Sequence, residues 1–419
     1  MGVIKKVMKT GLGEMGFNKG GGPVNWFPGH MAAASRAIRD RLKLADFVIE
    51  VRDSRIPLSS TNEELQPLLA GKRRLIALNK KDLANPNILP KWLRHFESDK
   101  QDCLSINAHS KHSVRKLLEL VELKLKEVIS REPTLLVMVV GVPNVGKSAL
   151  INCIHRISAE HFPVQEKMKK AVVGPLPGVT QDIAGFKIAH QPSIYVLDTP
   201  GVLVPSIPDI ETGLKLAATG SVKDSVVGEE RIAQYLLAVF NSRGTPLYWK
   251  NLNDRKKELQ GNGSEGKHEY NVKDLLPNRR KPPDDSAVYY IEDVVTEVQC
   301  ALSDSFSKFD GNVDDENDME DLIELQFEAL QKAFKIPHTA SECRAKVSKK
   351  FLTLFRMGKL GSFILDHVPD TGKPVSDFDR VPDTCKPVSN LDHVSDSCKP
   401  VSNLDHVPDT YKPVSSKIL

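Results

Sequence analysis

The chain has 419 residues, 40% hydrophobic and 27% charged, enough for one fair-sized globular domain and a second, smaller unit. A net charge of +4 is too mild to single out a polyanionic partner, and no apolar run approaches the roughly 20 residues of a membrane span. The six cysteines (Cys103, Cys153, Cys300, Cys343, Cys385 and Cys398) include no Cys-x-x-Cys pair, which fits a reduced compartment and gives no zinc signature.

Residues 1–28 are rich in Gly and Lys and show almost no periodicity. The basic bias runs on through 43, with Lys5, Lys6, Lys9, Lys19, Arg36, Arg39, Arg41 and Lys43 against only Glu14 and Asp40. From 29 to 219 short apolar runs alternate with helical patterns. The runs are DFVIEV (46–51), RLIALN (74–79), DCLSIN (102–107), LLVMVV (135–140) and SIYVLD (193–198); the clearest helix is SVRKLLELVELKLKEVI (113–129). This alternation predicts an α/β domain on a doubly wound, mostly parallel sheet.

The second run ends in NKKD (79–82). Guanine presents two neighbouring donors, N1–H and the exocyclic amine, and a single carboxylate accepts both. Asp82 suits that role, with Asn79 supporting the loop and touching the base edge and the Lys80 stem over the ring face. Adenine lacks the donor pair and would leave a buried carboxylate unpaired. After the third run, SINA (105–108) offers backbone amides of Ser105, Asn107 and Ala108 to the same base, a less specific signal.

The fourth run leads into GVPNVGKS (141–148), a Walker A loop between a strand and a helix start. Gly141 and Gly146 let backbone amides turn toward phosphates, and Lys147 reaches the β and γ oxygens. Ser148 is a Mg²⁺ ligand at a helix N-terminus that itself favours anions. Val145 and Ala149 belong to the same nucleotide-binding run. In GPLPGVTQD (174–182), Thr180 is placed to complete the Mg²⁺ shell beside the γ-phosphate. DTPG (198–201) closes the last run, with Asp198 suited to Mg²⁺ and the Gly201 amide to the γ-phosphate. Lys147, Thr180 and Gly201 therefore also count as candidate catalytic positions.

From 220 to 365 the signals turn helical: GEERIAQYLLAVFNS (228–242), AVYYIEDVVTEVQCALSDSF (287–306), MEDLIELQFEALQKAF (319–334) and RAKVSKKFLTLFRMGKLGSF (344–363). A polar insert near 250–285 and the acidic DGNVDDENDMED (310–321) interrupt them. In the last pattern Arg344, Lys346, Lys349, Lys350, Arg356 and Lys359 interleave with Phe351, Leu352, Leu354 and Phe355. That is either a solvated amphipathic helix or a surface whose cations neutralise RNA phosphates. Residues 366–419 repeat a 13-residue unit four times, beginning DHVPDTGKPVSDF. The unit is too poor in apolar groups to offset its ordering entropy and reads as a disordered tail. His367, His393 and His406 recur there through tandem duplication and are assigned no chemistry.

The parts of a guanine-nucleotide site are all present, but in an unusual order: base loops first, then Walker A, Thr180 and DTPG. This is the arrangement of a circularly permuted domain, tolerated when the original termini lie close together at the surface. Its consequence is mechanical. The chain leaving DTPG runs directly into the helical region.

With WFPGHM (26–31), VIEVRDSRIPLSS (48–60), ETGLKLA (211–217) and FRMGKLGSFILD (355–366) alongside these loops, the sequence resembles the circularly permuted ribosome-assembly GTPases. It looks most like their mitochondrial ribosome-associated branch. One departure is DSR (53–55), where that family usually has Asp-Ala-Arg. The resemblance implies GTP hydrolysis to GDP with Mg²⁺, docking on the large ribosomal subunit through rRNA and ribosomal proteins, and a monomeric protein. It also implies the mitochondrial matrix, with peripheral inner-membrane association as a variant. Residues 1–20 carry four Lys and one acid, a bias shared by transit peptides and by basic tails that touch RNA, so another organelle or the cytoplasm stays open.

Two site assignments come from resemblance alone. Many GTPases place Gln directly after the DTPG-type motif to orient water, whereas this chain has Val202 and then Leu203. The family's proposed substitute is the histidine of PGHM, here His30. In potassium-dependent GTPases an Asn at the position of Asn144 helps to hold K⁺ beside the phosphates. Two classes of function are then in play: a GTP-hydrolysing assembly factor, and a nucleotide-sensing module or peripheral membrane scaffold with negligible turnover.

Overall fold

The computed structural model describes residues 12, 15–16, 24–129, 134–161, 184–190, 193–207, 209–249, 285–337 and 342–369, with backbone only at 127–129, 159, 161, 184–190, 193 and 285–291. Thr180, the 250–284 part of the polar insert, nearly all of the N-terminal segment and the repeat tail beyond 369 lie outside them. In chain order the elements begin with α1 (Gly29–Leu42), β1 (Phe47–Asp53), α2 (Gln66–Leu69), β2 (Arg74–Asn79), α3 (Leu89–Ser98), β3 (Cys103–Ser105) and α4 (Lys111–Ile129). Then come β4 (Thr134–Val140), α5 (Lys147–His161), β5 (Ala184–His190), β6 (Ser193–Asp198), α6 (Ile210–Ala218), α7 (Asp224–Val227) and α8 (Glu229–Ser242). The last helices are α9 (Asp285–Lys308), α10 (Glu316–Ala333) and α11 (Cys343–Arg356).

The five apolar runs become β1, β2, β3, β4 and β6, all parallel, in the order β3-β2-β1-β4-β6. Helices on both faces cover the central strands, which is why they read as continuous apolar runs; all seven residues of β1 are buried, while edge-side β3 is only partly so. Helical crossovers separate the parallel neighbours, as parallel pairing requires. A sixth strand, β5, pairs antiparallel with β6 at the edge. Counted from β4 as the first strand, the sheet reads second, third, first, fourth, fifth, sixth from the β5 edge. Strand order therefore reverses at the junction of β4 with β1, and ligands of open α/β sheets bind at such a switch point, outside the carboxyl ends of the strands. Registers Asp53 with Asn79 and Val139 with Asp198 bring those ends into line.

One apolar core runs from the sheet into the helical region without a break, from Val48 and Val139 through Leu214 and Leu236 to Phe327 and Phe351. Inside the helical region Phe240 stacks on Phe363 with ring centres 4.6 Å apart. Half of the acidic stretch is not an interruption. Asp315 caps α10, its carboxylate accepting from Asn317 N and Asp318 N, because a helix N-terminus leaves N–H groups unpaired and favours negative charge.

The last helix is shorter than its apolar spacing suggests. It ends at Arg356; residues 357–360 form hydrogen-bonded turns and 361–366 a strap without regular secondary structure. The strap crosses the carboxyl edge of the sheet: Phe363 N donates to the Leu83 carbonyl (3.1 Å) and Leu365 N to that of Arg55 (2.7 Å). Asp366 pins its far end, accepting from Leu58 N (2.8 Å), Ser59 N (2.9 Å) and Ser59 Oγ (2.6 Å), with Lys215 Nζ 3.4 Å away. Asp366→Ala leaves three donors without their acceptor and is expected to cost about 2–4 kcal/mol of folding stability. Denaturant unfolding measures this, and a loss below roughly 1 kcal/mol would mean that water replaces the carboxylate at little cost.

Candidate functional site

The loop between β4 and α5 is a backbone cradle. Gly141 has φ 148° and Gly146 φ 97°, and a Cβ at either would collide, with the Val51 carbonyl at Gly141 and the Asn79 amide at Gly146. Lys147 opens α5 with its side chain buried, its ammonium donating to the Val142 carbonyl (2.9 Å). Burial lowers its pKa to about 8, against the opposing pull of Asp198. An anion brought beside this desolvated ammonium would meet little screening by water.

Asp198 ends β6 and is 1% exposed. Its Oδ2 accepts from the Ser148 hydroxyl (2.8 Å), while Oδ1 is buried without a hydrogen-bond partner. Burial raises the pKa of this carboxyl, and Lys147 and Ser148 oppose the rise. An unsatisfied buried carboxylate oxygen next to a helix-opening hydroxyl fits Mg²⁺, which takes one or two protein oxygens and completes its shell with phosphates and water. Thr199 Oγ1 donates to the Val139 carbonyl (2.7 Å), tying DTPG to β4, and Gly201 lies against Pro143 of the cradle. Val202 and Leu203 are both buried apolar residues, so neither offers a polar atom to water.

Three separate loops meet at Asn79. Its Nδ2 donates to the Val145 carbonyl of the cradle (2.7 Å), and its Oδ1 accepts from Ala108 N of the SINA loop (2.9 Å). Both ends of this carboxamide are thus occupied by the protein, and Asn79 is a strut. Asp82 is exposed within the short helical turn Lys81–Leu83. The turn is anchored by Lys81 N, which donates to the Ile106 carbonyl (3.1 Å). Asn107 N is held by Ser113 Oγ (3.0 Å), and Ser105 pairs in register with Leu78.

The DSR segment supplies a link that motif reading does not anticipate. Arg55 grips Asp53 through Nε (3.0 Å) and Nη2 (2.7 Å), and Lys80 Nζ lies 2.9 Å from the same carboxylate. Burial alone would raise the Asp53 pKa; Arg55 and Lys80 outweigh it and hold the carboxyl well below the usual range. The signal in the sequence was the Asp-x-Arg spacing at a strand end.

His30 is exposed in the first turn of α1, whose N-cap is Pro28. The segment before it is held in place: Val24 bridges Ile207, downstream of Gly201, and Lys223 Nζ lies 5.9 Å from the centre of the Trp26 ring. Asn144 has φ 63° and its Nδ2 donates to the Gly220 carbonyl (3.0 Å). The cations expected to face RNA are largely engaged within the molecule. Arg344 pairs with Glu230 and Glu324, Lys349 with Glu229, and Arg356 with Asp224, while Lys350 donates to the Phe334 carbonyl. Lys346 and Lys359 are exposed.

The family model described as "50S ribosome-binding GTPase" matches residues 136–270. It begins inside β4, so both base loops lie upstream of it, as a permuted order requires. Among curated proteins, the chain is 70% identical over 370 residues to "Short integuments 2, mitochondrial" of Arabidopsis thaliana, covering 88% of this chain and 96% of that one. It is 38% identical over 355 residues to "DAR GTPase 2, mitochondrial" of the same plant, covering 83% and 92%. "Ribosome biogenesis GTPase A" of Bacillus pumilus is 31% identical over 294 residues, covering 68% of this chain and 90% of that one. With relatives this similar along nearly their whole length, and a phosphate cradle joined to upstream base loops, the chain belongs to the circularly permuted ribosome-assembly GTPase family, in its mitochondrial branch, and is a GTP-hydrolysing enzyme.

Proposed function

We propose that this mitochondrial enzyme is an assembly factor for the large ribosomal subunit, docking with GTP bound and leaving after hydrolysis. The observation that carries the reading is the junction at Asn79, which puts the phosphate cradle, the base loop and the SINA loop within one hydrogen-bonded unit. The family description names binding to a 50S ribosome, and relatives are named for ribosome biogenesis or mitochondria.

In this reading the cradle amides from Gly141 through Ala149, the α5 N-terminus and Lys147 hold the β and γ phosphates. Asp82 accepts the two guanine donors, and the amides of Ser105, Asn107 and Ala108 support the base. Ser148 and Thr180 would give their hydroxyls to Mg²⁺, with the Asp198 carboxylate beside it. Held there, Mg²⁺ would supply positive charge against that developing on the β and γ phosphates. Gly201 N–H reports the presence of the γ-phosphate. Because Val202 and Leu203 are buried and apolar, water must be oriented from elsewhere, and the Val24–Ile207 bridge supports His30 for that role. Asn144 would present its carboxamide oxygen to K⁺, its amine end being the one given to Gly220. The enzyme acts as a monomer, and any inner-membrane association is peripheral; no described helix is long and apolar enough to cross a membrane.

The direct test is GTP turnover alone and with purified mitochondrial large or small subunits. Large subunits should stimulate hydrolysis strongly and small subunits should not; equal stimulation by both overturns the subunit assignment. Asp82→Asn should weaken GTP binding at least about 100-fold and admit xanthosine triphosphate, whose extra carbonyl pairs with the new amide. Unchanged base preference in a competition assay removes Asp82 from the base site. Stimulated turnover should be faster in K⁺ than in Na⁺, and His30→Ala should lower it by about 100-fold or more while GTP binding and docking persist. Full stimulated activity in that variant sinks the role of His30, and indifference to K⁺ sinks that of Asn144.

A further inference from the structure

Four consecutive carbonyls at the C-terminal end of α6 are each taken by a side chain, and the three side chains come from distant parts of the chain. Arg356, the last residue of α11, donates from Nη2 to Ala217 O (2.7 Å) and from Nε to Ala218 O (3.0 Å). Arg55 donates to Thr219 O (3.4 Å), and Asn144 of the phosphate cradle to Gly220 O (3.0 Å). Arg356 also holds Asp224, at the start of α7, through Nη1 (2.9 Å) and Nη2 (2.6 Å). The end of a helix leaves its last carbonyls unpaired and carries partial negative charge, so planar guanidinium groups suit it well.

This helix end touches both halves of the nucleotide site. Through Gly220 it holds Asn144, inside the cradle. Through Thr219 it holds Arg55, whose partner Asp53 binds Lys80 of the base loop. Arg356 is the only side chain of the three that belongs to the C-terminal helical region, and it makes the most bonds to the shared helix end.

We propose that Arg356 is a positioning residue of the GTP site, resting on the reading of 141–148 as the phosphate loop. Its clamp on Ala217, Ala218 and Asp224 fixes the end of α6. That fixed end keeps Gly220 within reach of Asn144, and the left-handed turn at Asn144 stays in the shape that binds phosphate. Without the clamp α6 frays at its last turn and the Asn144 bond is lost, because a hydrogen bond tolerates only a few tenths of an ångström before it weakens. The cradle then has to be ordered by the nucleotide itself, which lowers affinity.

The test measures affinity of the full chain for a fluorescent GTP analogue, at a temperature where unfolding curves show each variant folded. Arg356→Met keeps the packing of the stem and removes the bonds; Asn144→Ala removes the donor to Gly220 at the other end of the link. Each should weaken binding about five- to tenfold, the effect of one to two hydrogen bonds. The double variant should be no weaker than the worse single, because both break the same link. Asp224→Asn should weaken binding in the same direction by a smaller factor, and it decides the matter if Arg356→Met does not fold. Wild-type affinity in Arg356→Met, multiplying effects in the double variant, or, where Arg356→Met fails to fold, wild-type affinity in Asp224→Asn, each overturns the proposal. Lys147→Ala is the control that separates the two readings: wild-type binding there would overturn the phosphate-loop assignment itself.

Discussion

A single buried carboxamide joins what the chain order separates. Asn79 closes β2, and its two polar ends bind backbone groups at Val145 and Ala108. In an unpermuted chain the phosphate loop comes early and the base loops late. Here the order is reversed, and neither arrangement gives covalent continuity between them. What joins the loops directly is therefore not the order of elements but a side chain of fixed length with a donor at one end and an acceptor at the other. Both of its partners are backbone groups in a buried setting, where an unpaired amide or carbonyl is costly. The cradle is further committed at Gly146, whose missing side chain makes room for that same Asn79 amide.

Around this strut the helical region is bound in rather than appended. The strap from 361 to 366 lies on the NKKD turn, the DSR segment and the loop around Ser59, and Arg243 Nη1 donates to the Ile364 carbonyl (2.7 Å). The same buried core passes from the sheet to Phe351 and Phe355. Most cations of α11 are used for internal ion pairs, so the amphipathic pattern there expresses packing between helices first.

Much of this was legible in the sequence, and the reasons are local. β2 and β6 match their apolar runs to the residue, because apolar strands of a parallel sheet are bounded sharply by polar turns. β5 went unread: AGFKIAH has a glycine, a lysine and no long apolar run, as an antiparallel edge strand allows. The strap was read as more helix because apolar spacing continues through Phe363, although Gly358 and Gly361 supplied a stop signal three residues apart. The Walker A and NKKD loops were plain because their chemistry needs particular side chains in a short stretch. The contacts of Asn79, Asn144 and Arg356 were not, because each reaches main-chain groups far away in the sequence. Sequence marks a donor side chain but carries no mark for which distant carbonyl it will meet.

The strand order also bears on how the protein comes to be folded. β1, β2 and β3 with their crossover helices form a local unit near the N-terminus, whereas β4, the other neighbour of β1, follows some eighty residues later. Until β4 is available, β1 presents an unpaired parallel edge at what will become the middle of the sheet. Closing that long loop is slow compared with forming the first unit, and the waiting edge is open to wrong pairing. A chain that enters its compartment from the N-terminus would deliver the half with β1, β2 and β3 first, as an open-edged intermediate. The dependence on a protecting chaperone would then fall on the interval between the emergence of β1 and that of β4.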